Sequence, residues 1–191
     1  MTNQTTDPRP YYGRALTWVR SLMTGLDPAR LDDPTPCTEF DVRALLGHLV
    51  CTVERARAVA EGGDPLAIPH IVTAADLPAA YAAGAEKALA AWSEDDSLDR
   101  TVRVPWGEVP GRTALWGYTN ETLVHGWDLA VATGQDPEAD PDVVEPVRAV
   151  FETLLPAEPR GGPVPFAPVV PPRPDAGPTE RLANWSGRSR P

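Results

Sequence analysis

The sequence predicts an all-α protein built on a four-helix bundle, with a short hairpin-like excursion and an irregular, Pro-rich C-terminal tail. Three observations support this fold class. Apolar residues recur at three- and four-residue spacing over several long segments, which is the period of amphipathic helices. Capping and breaking residues separate these segments. After Pro156, Pro or Gly occupies most second or third positions as far as Pro178, which excludes a regular helix or central strand there.

The first two helices are predicted near residues 11–26 and 38–61. Thr38 and Asp41 stand three residues apart just before the second apolar series, which is the spacing of an N-terminal capping box with Asp in place of Glu. A pair of glycines that begins at Gly62 ends the second series. We therefore expect two amphipathic helices joined by a Pro-containing loop.

Three further helices are predicted near residues 76–92, 112–133 and 141–155. The first of these is rich in Ala, whose intrinsic helix propensity compensates for a thin apolar stripe. Between it and the next helix, residues 100–111 carry several Val around a Pro-Trp-Gly turn. This pattern predicts a short hairpin or extended excursion, and no internal repeat is evident.

The composition favours a globular protein with an acidic surface. The chain has 191 residues, of which 42% are hydrophobic, and its 17 Lys+Arg against 27 Asp+Glu give a net charge of −10. An acidic surface repels polyanions, so nucleic acid is excluded as an expected partner. We expect one domain over residues 1–191, with residues 156–191 packed on the bundle as the tail. A chain of this length forms a core without a structural metal, so any metal would serve function.

The expected location is the cytoplasm, because neither a signal-peptide pattern nor a long apolar span is present. Membrane is therefore not an expected partner. Cys37 and Cys51 are too few for a disulfide framework and are expected to be free, buried thiols.

Two histidines lie inside the most strongly predicted helices. His125 follows Glu121 by four residues, so both side chains leave one helical face and can converge on a single point. Imidazole nitrogen and carboxylate oxygen are ligands that zinc and related divalent ions favour. His48, on the flank of the second helix, is the candidate third ligand. The alternative is a surface Glu–His pair together with a hydrogen-bonded boundary histidine.

The sequence around these residues resembles a known family. The segments Glu121-Thr-Leu-Val-His125-Gly-Trp-Asp-Leu-Ala and Thr35-Pro-Cys-Thr-Glu-Phe-Asp-Val-Arg-Ala-Leu-Leu-Gly-His48 resemble the DinB-like superfamily. In particular, they resemble actinobacterial metal-binding proteins related to the N-terminal domain of mycothiol-dependent maleylpyruvate isomerase. The resemblance extends over nearly the whole chain, to a closing segment that includes Gly187-Arg188.

That resemblance implies a DinB-like four-helix bundle in which His48, Glu121 and His125 hold one divalent metal ion. Zinc is the first candidate, and nickel or another divalent ion is the alternative. Phe40 stands where the family usually has Trp, which we interpret as a change in packing. We expect no additional C-terminal domain such as the isomerase has, which weakens the transfer of that exact reaction.

The implied function is a metal-dependent enzyme of the thiol S-transferase or isomerase type. It would activate a small thiol, with mycothiol as a possible co-substrate, or water, toward a small electrophilic substrate. One alternative is a Lewis-acid tailoring enzyme for hydrolysis, elimination or cyclisation without a thiol. The other is a non-catalytic metal-binding stress or sensing module. A monomer or homodimer is expected, and the sequence assigns no catalytic residue beyond the ligands.

Several residues are candidates for the surroundings of the ion. Asp128 is a candidate hydrogen-bond acceptor for His125, with a surface carboxylate as the alternative. Tyr118 is a candidate lining residue and Trp106 a candidate cover, with core packing as the alternative for both. His70 is expected to face solvent or to line the mouth of a pocket.

Three arginines are the candidate cations for the carboxylate of a thiol co-substrate: Arg43, Arg55 and Arg112.

Overall fold

The computed structural model describes residues 6–162, 164 and 166–190, and most of them are helical. Within that part of the chain the helices are α1 (Arg9–Thr24), α2 (Val42–Ala60), α3 (Leu77–Ala91), α4 (Gly111–Thr133), α5 (Pro141–Leu154) and α6 (Pro178–Trp185). Strands β1 (Thr101–Val104) and β2 (Gly107–Pro110) pair antiparallel between α3 and α4, with Val102 opposite Val109. The all-α class, the five predicted helices and the excursion are confirmed.

Aspartates begin several of these helices. The Asp41 side chain accepts a hydrogen bond from the Ala44 backbone N–H at 2.7 Å, and Asp76 caps α3 in the same way through Ala79. The predicted capping box at Thr38 is therefore wrong in register: Asp41 is itself the N-cap, and α2 begins at Val42. A single carboxylate satisfies the free N–H group, so no reciprocal pair is required.

Helices α1 to α4 surround the main core. Helix α2 packs against α3 and α4, and α1 packs against α4 and α3. Buried apolar side chains from all four helices meet there, including Val19, Leu45, Leu49, Val53, Tyr81, Ala88, Leu115 and Leu129. None of the helices in the described part of the chain is both long and apolar enough to cross a bilayer.

Helices α5 and α6 form a second layer against α4. Their apolar cluster includes Leu123, Val144, Val147 and Leu182. Among its described residues the tail forms no helix or strand before Gly177, as predicted, but α6 within it was not predicted. Leu182 is fully buried, and the Trp185 indole N–H donates to the Leu155 carbonyl at 3.0 Å. These contacts hold the end of the described tail against the bundle.

Gly126 sets the distance between α1 and α4. A Cβ atom at this position would lie 2.3 Å from a ring carbon of Trp18 and 2.8 Å from a methyl carbon of Val19. Because such a distance is impossible between real atoms, only glycine lets α1 approach the turn of α4 that carries His125. The packing of α1 therefore positions the candidate site.

Candidate metal centre

The structure brings His48, Glu121 and His125 together. His48 lies in the second turn of α2, and the other two residues lie one turn apart on α4. One ligating atom from each residue lies within 4.8 Å of the others. His125 Nε2 and Glu121 Oε2 are 3.4 Å apart. Two ligands about 2.1 Å from one tetrahedral ion lie about 3.4 Å apart, so this spacing fits a shared ion.

A hydrogen bond orients His48. Its Nδ1 lies 3.1 Å from the backbone carbonyl of His70, so Nδ1–H donates and Nε2 keeps a free lone pair. The Phe40 ring stacks on the imidazole at a centroid distance of 4.9 Å. The His70 ring is exposed and lies 4.6 Å from the His48 ring. His70 therefore occupies the mouth of the site, with its backbone carbonyl holding the ligand.

A second hydrogen bond orients His125. Its Nδ1–H donates to Asp128 Oδ2 at 3.0 Å, which directs Nε2 toward Glu121. The Asp128 side chain is fully buried and also accepts a hydrogen bond from Arg188 Nε at 3.1 Å. Helical spacing predicts the contact between Asp128 and the His125 ring, whereas that spacing does not indicate Arg188. The one sequence signal for Arg188 is its position in the closing segment that resembles the family.

A second group of potential ligands shares His125. Single atoms of Cys37, His125 and Asp128 also lie within 4.8 Å of one another. However, Arg188 donates to Cys37 Sγ at 3.3 Å and to Asp128 Oδ2, so a guanidinium cation already occupies that side. A metal cation beside it would be repelled, and this favours the group formed by His48, Glu121 and His125.

Electrostatics prepare the three side chains differently. Burial, reinforced by the charge of His125, lowers the pKa of His48 to about 4, so His48 is neutral and able to coordinate. Burial opposes the charged forms of Glu121 and His125, but the hydrogen bonds between them and to Asp128 outweigh it. As a result, the pKa of Glu121 is lowered and that of His125 is raised. Metal binding by this site would release the His125 proton.

The remaining candidates lie beside the three ligands. Tyr118 is 2% exposed and its hydroxyl has no hydrogen-bond partner in the described structure. Trp106 is 52% exposed and packs on the Tyr118 ring at 5.8 Å, so its described ring contact is with Tyr118 and not with the ligands. Cys51 is buried, and burial raises its pKa to about 11, as suits a packed neutral thiol.

Family and sequence comparisons agree with this architecture. The family model for the mycothiol maleylpyruvate isomerase N-terminal domain matches residues 12–130, which include all three candidate ligands. An uncharacterised protein of Mycobacterium tuberculosis, found in strains CDC 1551 and H37Rv, is 32% identical over 184 residues. That match covers 96% of this chain and 98% of the relative.

Solved structures share the fold. A mutant of mycothiol-dependent maleylpyruvate isomerase has a TM-score of 0.59 at 13% identity, over 79% of this chain and 72% of that one. A DinB-like protein of Bacillus subtilis has a TM-score of 0.56 at 18% identity, over 70% of this chain and 95% of that one. At these identities the likeness supports the fold alone.

Proposed function

Since the chain belongs to the family of the mycothiol maleylpyruvate isomerase N-terminal domain, we propose that it is a metal-dependent enzyme of the thiol S-transferase or isomerase type. The observation that carries the proposal is the convergence of His48, Glu121 and His125. A small thiol such as mycothiol would be the co-substrate, and the substrate would be a small electrophile.

The donor set fits a divalent ion. Two imidazole nitrogens and one carboxylate oxygen are ligands that suit zinc or nickel, and three protein ligands leave a position open for a small molecule. A bound divalent ion would lower the pKa of a thiol or water toward neutrality. The hydrogen bonds that hold both histidines support this fit, because metal-binding imidazoles need an acceptor on the far nitrogen.

The chain supplies orientation and access. Asp128 and the His70 carbonyl fix the ring directions, and Phe40 provides an apolar wall against His48. The Glu121 side chain is 32% exposed, so a small molecule can approach the ligands from its side. Glu121 would act as a ligand and not as a general base, because a carboxylate committed to an ion no longer offers that lone pair to a proton.

The proposed chemistry uses a thiol as nucleophile. The S–H bond breaks and its proton passes to solvent, while sulfur forms a bond to an electrophilic carbon. In transfer, a leaving group departs from that carbon with the bonding electrons. In isomerisation, the thiolate sulfur adds to a carbon–carbon double bond conjugated to a carbonyl, whose oxygen takes up the electron pair of that double bond. Rotation follows about the resulting single bond, the C–S bond breaks to restore the double bond, and the thiolate regains a proton from solvent.

The test is metal analysis of protein purified without an affinity tag, followed by assays on a panel of small electrophiles with and without mycothiol. We expect about one divalent ion per chain, and turnover that requires both the ion and the thiol. The rate should rise through one ionisation near neutral pH. Glu121→Gln should lower metal occupancy and turnover together, whereas Glu61→Gln, at a half-exposed carboxylate on the surface, should change neither.

Other outcomes would redirect the proposal. Turnover with the ion but without any thiol would favour the Lewis-acid tailoring enzyme, in which the substrate or water takes the open position. Full metal occupancy without turnover across the panel would favour a stress or sensing module. A protein that binds no divalent ion, with its fold intact, would overturn the proposal.

A further inference from the structure

Arg55 is a half-buried cation without an acidic partner. Its Nη2 donates to the Ile68 carbonyl at 2.9 Å, while its Nε is buried and has no hydrogen-bond partner among the described residues. No carboxylate oxygen in the described part of the chain lies within the 4.0 Å of an ion pair. In a chain with 27 Asp+Glu against 17 Lys+Arg, an unpaired and partly desolvated guanidinium is unexpected.

The other two candidate cations differ from Arg55 in this respect. Arg43 pairs with Asp32 at 3.1 Å, and Arg112 pairs with Asp99 at 3.2 Å. Both acidic partners are largely exposed, so these pairs belong to the solvated surface. Of the three arginines that the sequence singled out, Arg55 alone keeps a buried donor free for a ligand.

Tyr118 presents a second free donor near Arg55. Its hydroxyl is buried and has no hydrogen-bond partner among the described residues. Burial raises the pKa of Tyr118, so its O–H stays protonated and can donate. A buried donor without a partner costs free energy unless a ligand or water satisfies it.

The helices place these donors at a fixed distance from the candidate ligands. Arg55 follows His48 by seven residues on α2, which is two turns on the same face and about 10 Å along the helix. On α4, Tyr118 precedes Glu121 by almost one turn. Trp92 donates to the Ala56 carbonyl of α2, and a Cβ at Gly111, the first residue of α4, would lie 3.2 Å from its ring. The second half of α2 therefore lies beside the start of α4, and both donors lie on that side of the candidate metal centre.

We propose that Arg55 and Tyr118 form a carboxylate-binding subsite, which holds the acidic group of a small molecule while its reacting end lies at His48, Glu121 and His125. The assignment of a reacting end rests on the proposed function, whereas the subsite itself does not. The guanidinium is a cation that only donates hydrogen bonds, the phenol O–H adds one more donor, and planar carboxylate oxygens match the guanidinium edge. The separation of the two parts suits a carboxylate several bonds away from the reacting atom.

The experiment compares paired probes in cobalt-substituted protein. Each of 3-mercaptopropionate, 4-mercaptobutyrate and 5-mercaptopentanoate is titrated beside the neutral alkanethiol of matching length, with the thiolate-to-cobalt absorption band as the readout. We expect at least one carboxylate to bind about tenfold tighter than its neutral partner. Arg55→Met should remove that advantage without changing the neutral thiol, and Arg55→Lys should restore part of it. Tyr118→Phe should reduce it several-fold.

A second arm does not depend on the ion. Glutarate is titrated into metal-free protein with tryptophan fluorescence as the readout, because Trp106 packs on Tyr118. Quenching that Arg55→Met abolishes would support the subsite even if no turnover is ever found, and would leave only the proposed function in doubt. Equal affinities for paired thiols together with no glutarate response would overturn the subsite. The subsite would also be overturned if Arg55→Met and Arg55→Lys lowered the affinity for the carboxylate thiols and for the neutral thiols equally, in proteins whose thermal unfolding is unchanged.

Discussion

Arg188, near the end of the described tail, donates a hydrogen bond from Nε to the fully buried carboxylate of Asp128 at 3.1 Å. The same carboxylate oxygen accepts the Nδ1–H of His125 at 3.0 Å. A residue of the tail thus contacts the group that orients a candidate ligand. The tail therefore completes the surroundings of the candidate metal centre as well as covering the bundle.

Asp128→Asn should weaken metal binding by about 10- to 100-fold, the usual effect of losing a partner that orients a metal ligand. The amide keeps the shape of the carboxylate but loses its charge, so the ring of His125 is held less firmly and is less basic. Competition with a chromogenic chelator measures the affinity. Asp96→Asn, at an exposed carboxylate, is the matched control and should bind like the unmodified chain. Equal affinity of both variants would contradict the role given to Asp128.

The candidate site was partly predictable because helices obey local rules. Four-residue spacing places Glu121 and His125 on one face, and Asp128 follows within the next turn. Arg188 lies 60 positions from Asp128 in the sequence, and no periodicity connects the two residues. Its contact depends on how the tail packs, which is a property of the folded chain as a whole.

His48→Ala and His125→Ala should each abolish stoichiometric metal binding while the helical content remains. Each substitution removes one of three ligands, and neither histidine belongs to the apolar cluster that forms the main core. Elemental analysis and circular dichroism measure the two effects. His70→Ala is the control, because the backbone carbonyl of His70 and not its ring holds His48. Loss of the ion in His70→Ala to the same extent would show that the ring itself is a ligand.

Gly126→Ala should destabilise the fold by about 1–3 kcal/mol, because the new methyl group collides with Trp18 and Val19. Gly13→Ala on α1 is the matched control: a Cβ there meets only a Leu89 methyl at 3.7 Å, which is an ordinary contact. It should stabilise α1 by up to about 1 kcal/mol through helix propensity. Urea unfolding measures both free energies. A Gly126→Ala protein as stable as Gly13→Ala would show that α1 can move away from α4 at no cost.

The differences in helix boundaries have similar physical causes. The predicted start of α2 is too early because Thr38 and Asp41 have the spacing of a capping box, whereas Asp41 alone caps the helix. The sequence pattern does not predict helix α6, because Pro178 ends a Pro-rich segment, yet this proline occupies the first turn of the helix. Proline is tolerated there because the first turn has no intrahelical partner for its N–H. Whether Pro178 ends an irregular segment or begins a helix depends on the contacts that α6 makes with α4 and α5.

Glu180→Gln should lower the thermal midpoint by roughly 2–4 °C at pH 7, the shift of a modest loss of stability in a chain of this size. Glu180 on α6 is 3% exposed and accepts two hydrogen bonds of 2.7 Å from Arg173, and these bonds lower its pKa below the ordinary 4.5. The folded state therefore keeps Glu180 ionised at pH values where the unfolded chain takes up a proton. The stabilisation is complete above the ordinary pKa and is lost as the pH falls through the lowered one.

The pH dependence separates this ion pair from a packing effect. The difference in midpoint between Glu180→Gln and the unmodified chain should shrink at pH 3. At that pH Glu180 is protonated in the unfolded unmodified chain and must lose its proton to form the ion pair, whereas Gln has no proton to lose. Glu61→Gln removes a half-exposed carboxylate paired with Arg57, and its midpoint should change little at either pH. A deficit of Glu180→Gln that is equal at pH 7 and pH 3 would assign the effect to packing of α6, because only the ion pair is sensitive to the proton.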